Sequence, residues 1–413
     1  MDIGVIIRGY RRGRQLTQEE LASGICSISH LSKIENGSKE YNEETITLLL
    51  QRLDIDLNKI QNEINFFQKL LDELYKTIVY QDYESAKQKF SIIQGNNEKL
   101  ILIGLNHLNE IISYRYYLFI QDSEKYIELR KKLLRNCEKF SQIESVLFSY
   151  FDAIYFILEG QLKKALELFS KLLDKSFQHF GDFYYHLALC MSLTHNPGAA
   201  ILYSNKALEQ YDIYNNFTRK IHTQMILAIN YQRIGALLEA EHYYELLLTN
   251  STRINDLKNI AYNSHNLSIL KKAQKQFSKA VFLLQKSIQA AKEARVSYLP
   301  SLCELAEIYE SQNETETSVE LIKQIIIKAK EEGNLRIEIK YLYKQQHLSL
   351  SINHFANFIE KRGFTPLEAH HLFEDMVLYC TKLIHFYQEK QDLQKKIKYL
   401  EYANLALYKY KKK

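Results

Sequence analysis

"KKAQKQFSKAVFLLQKSI", residues 271–288, decides the fold. Ala280 stands near the start of a helical pattern, with Leu284 one turn further on the same face. The arrangement recurs in "ILEGQLKKALELFSKLL" (157–173), "THNPGAAILYSNKAL" (194–208), "QRIGALLEAEHYYELLL" (232–248) and "ETSVELIKQII" (316–326). The small residues Ala165, Ala200, Ala240, Ala280 and Ser318 are separated by 35, 40, 40 and 38 positions. Twelve positions before each lies a second small residue: Ala153, Ala188, Ala228, Ser268 and Ala306. Antiparallel helices approach closely only where both present small side chains, with larger neighbours filling the groove. The pattern therefore predicts a series of helix hairpins, one following another.

As a series, these units resemble the tetratricopeptide repeat with lengthened loops. A weaker unit precedes them at "YQDYESAKQKFSII" (Ala86), and others follow around Ala356 and at "LQKKIKYLEYANLAL" (393–407). About nine helix pairs are expected. Such a stack curls into a right-handed superhelical solenoid whose inner surface is a long binding groove. Composition agrees with an all-α protein. Three prolines and thirteen glycines in 413 residues leave few helix breakers, and thirty tyrosines with twenty phenylalanines supply bulk for helix packing.

Other properties narrow the class. Fifty-four basic and forty-nine acidic residues give a net charge of +5, too mild to imply nucleic acid by itself. The five cysteines are scattered, with no Cys-x-x-Cys pair, as in a reduced cytosolic protein. The thirteen histidines lack metal-ligand spacing. No long apolar run suggests a membrane span, so a cytoplasmic protein is expected. No enzyme motif, metal site or cofactor site is evident.

The first 60 residues read differently, as short helices at roughly 2–13, 17–24, 28–36, 43–53 and 56–60. Within "LTQEELASGICSISHLSKIENG" (16–37), Thr17 and Glu20 form a capping box. Ser27 is placed to cap the next helix, and Gly37 to end it. Leu21, Leu31 and Ile34 fall on a buried side, leaving Ile28, Ser29, His30, Ser32 and Lys33 without core duty. In a helix-turn-helix, the exposed start of the second helix reads base edges in the major groove. Arg8, Arg11, Arg12 and Arg14 lie just upstream as a cluster suited to phosphates. The competing reading is a solvated helical hairpin; residues 1–60 hold eight basic and nine acidic side chains, a net of −1.

Leu16, Thr17, Gln18, Leu21, Ala22 and the run Leu31 to Gly37 make the segment similar to the Cro/C1 helix-turn-helix family. That resemblance implies a phosphate contact for Gln18 and base contacts among Ser27, Ile28, Ser29, His30 and Lys33, with Arg8, Arg12 and Arg14 on the backbone. The turn is one residue shorter than usual, with Gly24 early and Cys26 in the apolar slot. Joined to the repeats, the chain resembles the RRNPP regulators of Gram-positive bacteria, in their PlcR- and NprR-like branches. The expected layout is a DNA-binding domain over 1–60, a linker or first repeat helix over 61–75, and a peptide-binding repeat domain over 76–413.

The resemblance implies a quorum-sensing transcription regulator, not an enzyme. Its partners would be a palindromic double-stranded operator, read as a homodimer, and a short signalling peptide in the groove. Family members hold the peptide backbone with asparagines, whose amides donate and accept at once. Asn266 occupies that slot two residues before Ser268, with Tyr262 and His265 pointing the same way. The equivalent slots elsewhere hold His186, Ile226 and Glu304; Asn230 and Asn263 are substitutes, and His222, Gln232 and Arg233 share the preceding inner face. Glu304 and Glu307 either attract a basic peptide end or are simply solvated. Two alternatives stay open: Rap-like sequestration or dephosphorylation of a response regulator, with a glutamine such as Gln81 or Gln121 orienting water, or a scaffold without DNA binding.

Overall fold

A computed structural model describes residues 3–37, 42–173 and 181–411. Every regular element in them is helical, and the chain forms two compact units, one to Ile234 and one from Gly235. None of the described helices is long and apolar enough to cross a membrane.

The first unit opens with four short helices: α1 (Ile3–Gly13), α2 (Gln18–Ala22), α3 (Ile28–Glu35) and α4 (Glu43–Arg52). Ile7, Leu21, Ala22, Leu31, Ile34, Ile46, Leu49, Leu50 and Leu53 meet in one core, with Cys26 half-buried against it. The shortened turn thus keeps a small apolar group in the expected slot. Hairpins follow: α5 (Leu57–Val79) with α6 (Tyr83–Gln94), α8 (Asn106–Ile120) with α9 (Ser123–Asn136), α10 (Gln142–Leu158) with α11 (Leu162–Leu172), and α12 (Gly181–Leu193) with α13 (Pro197–Ile213). The short α7 (Asn97–Leu102) bridges the first two, and α14 (Phe217–Arg233) packs on α13.

The second unit begins with α15 (Leu237–Arg253) against α16 (Leu257–Ala273). Helix α16 also pairs with α17 (Phe277–Glu293). Then come α18 (Leu299–Ser311) with α19 (Thr315–Glu331), α20 (Leu335–Ser349) with α21 (Ile352–Arg362), the short α22 (Thr365–Ala369), and α23 (Phe373–Glu389) with α24 (Leu393–Lys411).

All ten small residues that set the repeat register are at most 1% exposed. In one pair, Ser318 Oγ donates to the carbonyl of Ala306, so the close approach also carries an interhelical hydrogen bond. Hairpin turns share a left-handed residue just past the first helix, as at Gln81, Gln121, His195 and Lys275. This is a helix-terminating conformation, and it gives Gln81 and Gln121 a structural duty. Gln81 Nε2 also donates to the Ile78 carbonyl.

Both expected boundaries near residues 60 and 75 fall inside α5, one uninterrupted helix. The helix-turn-helix module is therefore seated directly on the first hairpins. Ile6 of α1 joins the core that holds Ile60, Leu100 and Ile103. Gly9 faces the backbone of Leu102 so closely that a Cβ there would stand 2.6 Å from its carbonyl oxygen. That approach requires glycine.

Candidate nucleic-acid interface and peptide-binding faces

The α2–α3 corner is built by local capping and locked by buried charge. Thr17 accepts from the Glu20 N–H, and the Glu20 carboxylate accepts from the Thr17 N–H at 2.6 Å. These bonds hold Glu20 below the usual carboxylate range. Ser27 caps α3 by accepting from the His30 N–H at 3.2 Å. Between the helices, Gly24 is left-handed at φ 71°, and the N–H groups of Ile25 and Cys26 both return to the Ala22 carbonyl. Arg52 of α4 clamps this turn, donating to the Leu21 carbonyl at 3.0 Å and to that of Ser23. Sequence reading assigned Arg52 no role.

One basic residue is corrected. Arg11 is 7% exposed and does not face solvent. Its Nε and NH2 donate to the two oxygens of Glu35 at 2.6 and 2.8 Å, and NH1 donates to the Leu16 carbonyl. Burial pushes the Glu35 carboxyl up, but Arg11 and Gln18 outweigh it and hold it below its ordinary value. Arg11 thus ties α1 to α3. Gln18 is partly reassigned too: Nε2 donates to Glu35 at 2.9 Å, leaving one N–H of that amide for a phosphate.

The remaining expected contacts lie open. Arg12, Arg14, Ser27, Ile28, Ser29 and Lys33 are exposed, while Arg8 and His30 are half-buried. Ile28 is 47% exposed at the first turn of α3, where an apolar side chain contributes nothing to the core. The structure brings α3's first turns to the surface of a rigid corner, as a groove-reading helix requires.

The expected peptide residues fall into both units. In the first, His186 is displaced from the proposed role. Its Nδ1 lies 2.9 Å from the Tyr150 hydroxyl and 2.7 Å from the Asp182 carbonyl, and burial drives its pKa down to about 3. It belongs to an internal charge cluster. Asp182 accepts from Tyr150 and is flanked by Arg219 at 2.9 Å and Arg115 at 3.5 Å, with Tyr185 stacked over the Arg219 guanidinium. Burial raises the Asp182 carboxyl, but Arg219 leads the groups that hold it well below its ordinary range. This cluster joins α8, α10, α12 and α14, and its members lie too far apart in sequence to be paired by spacing.

Asn230 is also corrected. It is fully buried, donating to Ser192 Oγ and the Ile226 carbonyl while accepting from Arg233. Arg233 further donates to the Ser192 carbonyl at 2.6 Å, which closes the end of α12. His222 is half-buried beside Tyr185, its pKa lowered to about 4 by burial and then by Arg219. Gln232 is half-buried near the end of α14.

In the second unit, Asn263 is 1% exposed and lies 3.4 Å from Ser251 Oγ, so it fills a helix interface instead of a groove. Tyr262 is exposed; His265 and Asn266 are half-buried on α16. His265 Nδ1 meets Ser301 Oγ at 3.0 Å, and burial lowers the ring's pKa. His265 also lines a cavity with Cys303, Glu304, Glu307, Arg336, Lys340 and Asp375. Glu304 and Glu307 share one lysine, Lys272, at 2.8 and 3.0 Å. The two carboxylates are therefore paired acids and not freely solvated ones, and Arg336 and Lys340 line the same cavity.

The structure joins a helix-turn-helix module, through the continuous α5, to helical hairpins of the tetratricopeptide type. Residues 7–60 match the helix-turn-helix family. Across 393 residues the chain is 26% identical to the transcriptional activator NprA of Geobacillus stearothermophilus, covering 90% of this chain and 94% of that protein. The apo form of the quorum sensor NprR from B. thuringiensis superposes with a TM-score of 0.72 at 19% identity, over 83% of this chain and 99% of that one. NprR in complex with its cognate peptide NprX gives 0.57 at 20% identity, over 82% and 96%. These likenesses join a helix-turn-helix to the helical-repeat fold of those quorum sensors.

Proposed function

We propose that this protein is a cytoplasmic, peptide-responsive transcription regulator that reads a palindromic operator as a homodimer. The observation that carries this is the α2–α3 corner. Ser27, Ile28, Ser29 and Lys33 face outward from a module whose interior is braced by Arg11–Glu35 and Arg52. An exposed Ile28 beside polar residues suits a groove that offers thymine methyls and base-edge acceptors. Arg8, Arg12 and Arg14 supply phosphate contacts, and Gln18 adds one through its remaining N–H. Relationship to a transcriptional activator supports the same reading.

The α16 face of the second unit is the proposed peptide surface, with Asn266 pairing to the peptide backbone and Tyr262 and His265 beside it. Glu304 and Glu307, held by Lys272, with Arg336 and Lys340 on the same cavity, offer charged groups of both signs to the ligand. In the first unit, His222, Gln232 and Arg233 remain the candidates for further contact. The Rap-like alternative shares this repeat fold, while Gln81 and Gln121 stand at left-handed hairpin-turn positions.

The test is binding of the full chain to the DNA upstream of its own gene. Anisotropy would be followed across a salt series, with and without synthetic peptides from small neighbouring reading frames. Expected is an affinity that falls linearly with log salt and shifts with one peptide. Binding that is absent, or indifferent to both sequence and salt, overturns the reading.

A further inference from the structure

A cavity confined to the first unit is walled by α6, α7, α8 and α9. Its volume is about 700 Å³, within the roughly 300–1,000 Å³ of small-molecule sites. A closed circle of polar side chains lines it. Asn109 Nδ2 donates to Asn97 Oδ1 at 2.7 Å, and Asn97 Nδ2 donates to Gln94 Oε1 at 3.2 Å. Gln94 Nε2 then donates to Ser113 Oγ at 3.4 Å, and Ser113 Oγ returns to Asn109 Oδ1 at 3.4 Å. Asn109 and Ser113 are each 5% exposed. Each amide spends only one of its two N–H groups on the circle. Beside it, Glu110 Oε1 accepts from Lys132 at 3.0 Å, while Oε2 is buried and no donor among the described residues reaches it. A buried carboxylate oxygen is costly to leave without a donor.

We propose that this cavity binds a phosphorylated sugar, either free or as the ribose phosphate of a nucleotide. A sugar hydroxyl both accepts and donates, so it takes an N–H of the amide circle and donates to Glu110 Oε2. The α9 wall selects the phosphate. It brings Lys125, Lys131, Lys132 and Arg135 to the cavity against a single carboxylate of its own, Glu128. Lys131 and Arg135 stand one turn apart on that helix and are exposed. With Glu98 and Glu110 counted, four cations still meet only three carboxylates. Lys132 joins the two halves of the site, because it neighbours Lys131 in the chain and touches Glu110. A phosphate beside Lys131 and Arg135 and a hydroxyl on Glu110 therefore belong to one small molecule. An anion without a hydroxyl leaves Oε2 unmet, and a neutral sugar leaves the basic wall unused. Half-buried Tyr117 and Leu129 supply an apolar flank for the C–H groups of the sugar. The α7 wall contributes Asn97, Glu98 and Ile101, and this same helix presents Leu102 to Gly9 of the reading module. A ligand held here touches the seat of that module.

Binding is read without DNA, so it stands or falls apart from the function proposed above. The full chain is titrated calorimetrically with ribose 5-phosphate, glucose 6-phosphate and AMP. Ribose, glucose, adenosine and inorganic phosphate are titrated as fragments. At least one phosphorylated compound is expected to bind about tenfold or more tighter than either of its fragments. A sugar phosphate binding above AMP identifies the free form, and AMP above both sugar phosphates identifies a nucleotide. E110Q, which removes the carboxylate at nearly constant shape, should weaken that ligand about tenfold and leave inorganic phosphate unaffected. K131A/R135A should weaken it by a similar factor, about tenfold, and leave the unphosphorylated parent unaffected. Circular dichroism checks the fold; should E110Q lose helix, K131A/R135A decides, because both residues are exposed. Amide exchange over α7 and α8 should slow with ligand bound. The proposal is overturned if none of the three compounds binds below about 1 mM. Inorganic phosphate binding as tightly as the phosphorylated compounds also overturns it, leaving a basic patch alone. So does tight binding that survives both variants, which would put the ligand elsewhere.

Discussion

Replacing Glu35 by Leu should unfold the DNA-reading module while leaving the repeats folded. Glu35 is 2% exposed and accepts from Arg11 Nε at 2.6 Å, Arg11 NH2 at 2.8 Å and Gln18 Nε2 at 2.9 Å. Without the carboxylate, the buried Arg11 guanidinium keeps its bond to the Leu16 carbonyl but loses both of its charged acceptors. Stranding one member of a buried ion pair costs about 3–5 kcal/mol. At roughly 0.05–0.15 kcal/mol per residue, a module of this size has only about 3–8 kcal/mol in hand. The loss is therefore comparable to the whole, and the open population rises about 100- to 1,000-fold or more. Hydrogen exchange over α1 to α4 should lose protection, and operator affinity should fall with it. Exchange in the repeats beyond α5 and α7, which share the core of Ile6, should not change.

The double substitution R11M/E35L distinguishes a fold clamp from a DNA contact. Replacing both charges with apolar groups of similar volume is often neutral or stabilising. Protection should return, and with it most of the DNA affinity. If R11M/E35L refolds but binds operator no better than E35L, Arg11 acts on DNA and its reassignment is wrong. If E35L leaves protection unchanged, the pair does not hold the module together.

Arg12→Ala and Lys33→Ala should each lower the slope of log affinity against log salt by about one if they contact phosphate, with an unchanged melting temperature; an unaltered slope removes that residue from the interface. Asn266→Ala should weaken peptide binding by about 1 kcal/mol per lost hydrogen bond, read by calorimetry with a peptide that shifts DNA affinity, and full affinity would exclude it from the site. Stability should decline as pH falls below about 6.5, the value for unfolded histidine. His186 and His222 are held neutral by burial down to about 3 and 4, so the unfolded chain binds more protons across that window. A melting temperature that is flat from pH 7 to 4.5 would contradict this.

What could be read from the chain was local or periodic. Small residues twelve apart announce helix contact because sterics permit nothing larger there, and all ten are buried. The Thr17 and Ser27 caps are equally legible, since each acts within three residues. Arg11 misled because neighbouring arginines suggested a single solvated cluster. Yet Gly4, Ile7 and Arg11 fall on one helical face, and all are buried. That phase was the available signal, while the partner 24 residues away was not. Asn230 and Asn263 failed for another reason. Helical spacing gives a residue's direction but not which neighbouring pair packs there, and Ser192 and Ser251 stand where open groove was expected. His186 was invisible in the same way, because its environment comes from Tyr150 and from an aspartate between two distant arginines.

The seating of the module limits how a signal can reach DNA. Helix α5 runs without a break from Leu57 to Val79, so no flexible tether separates the reading head from the first hairpins. Ile6 shares their core, and Gly9 lies against the backbone of Leu102. A contact that excludes even a Cβ does not slide by small increments, because packed interfaces rearrange between discrete arrangements. The four-helix module therefore turns with α5 and α7 as one body. In a dimer reading half-sites about one DNA turn apart, roughly 34 Å, a small rotation of each body moves its α3 by a distance that base contacts register. A ligand changes DNA binding in such a system only by favouring one relation between two such bodies over another. Control would then lie in the spacing of two rigid heads, and not in ordering or melting the recognition helix, whose caps and Glu35 clamp are complete without any ligand.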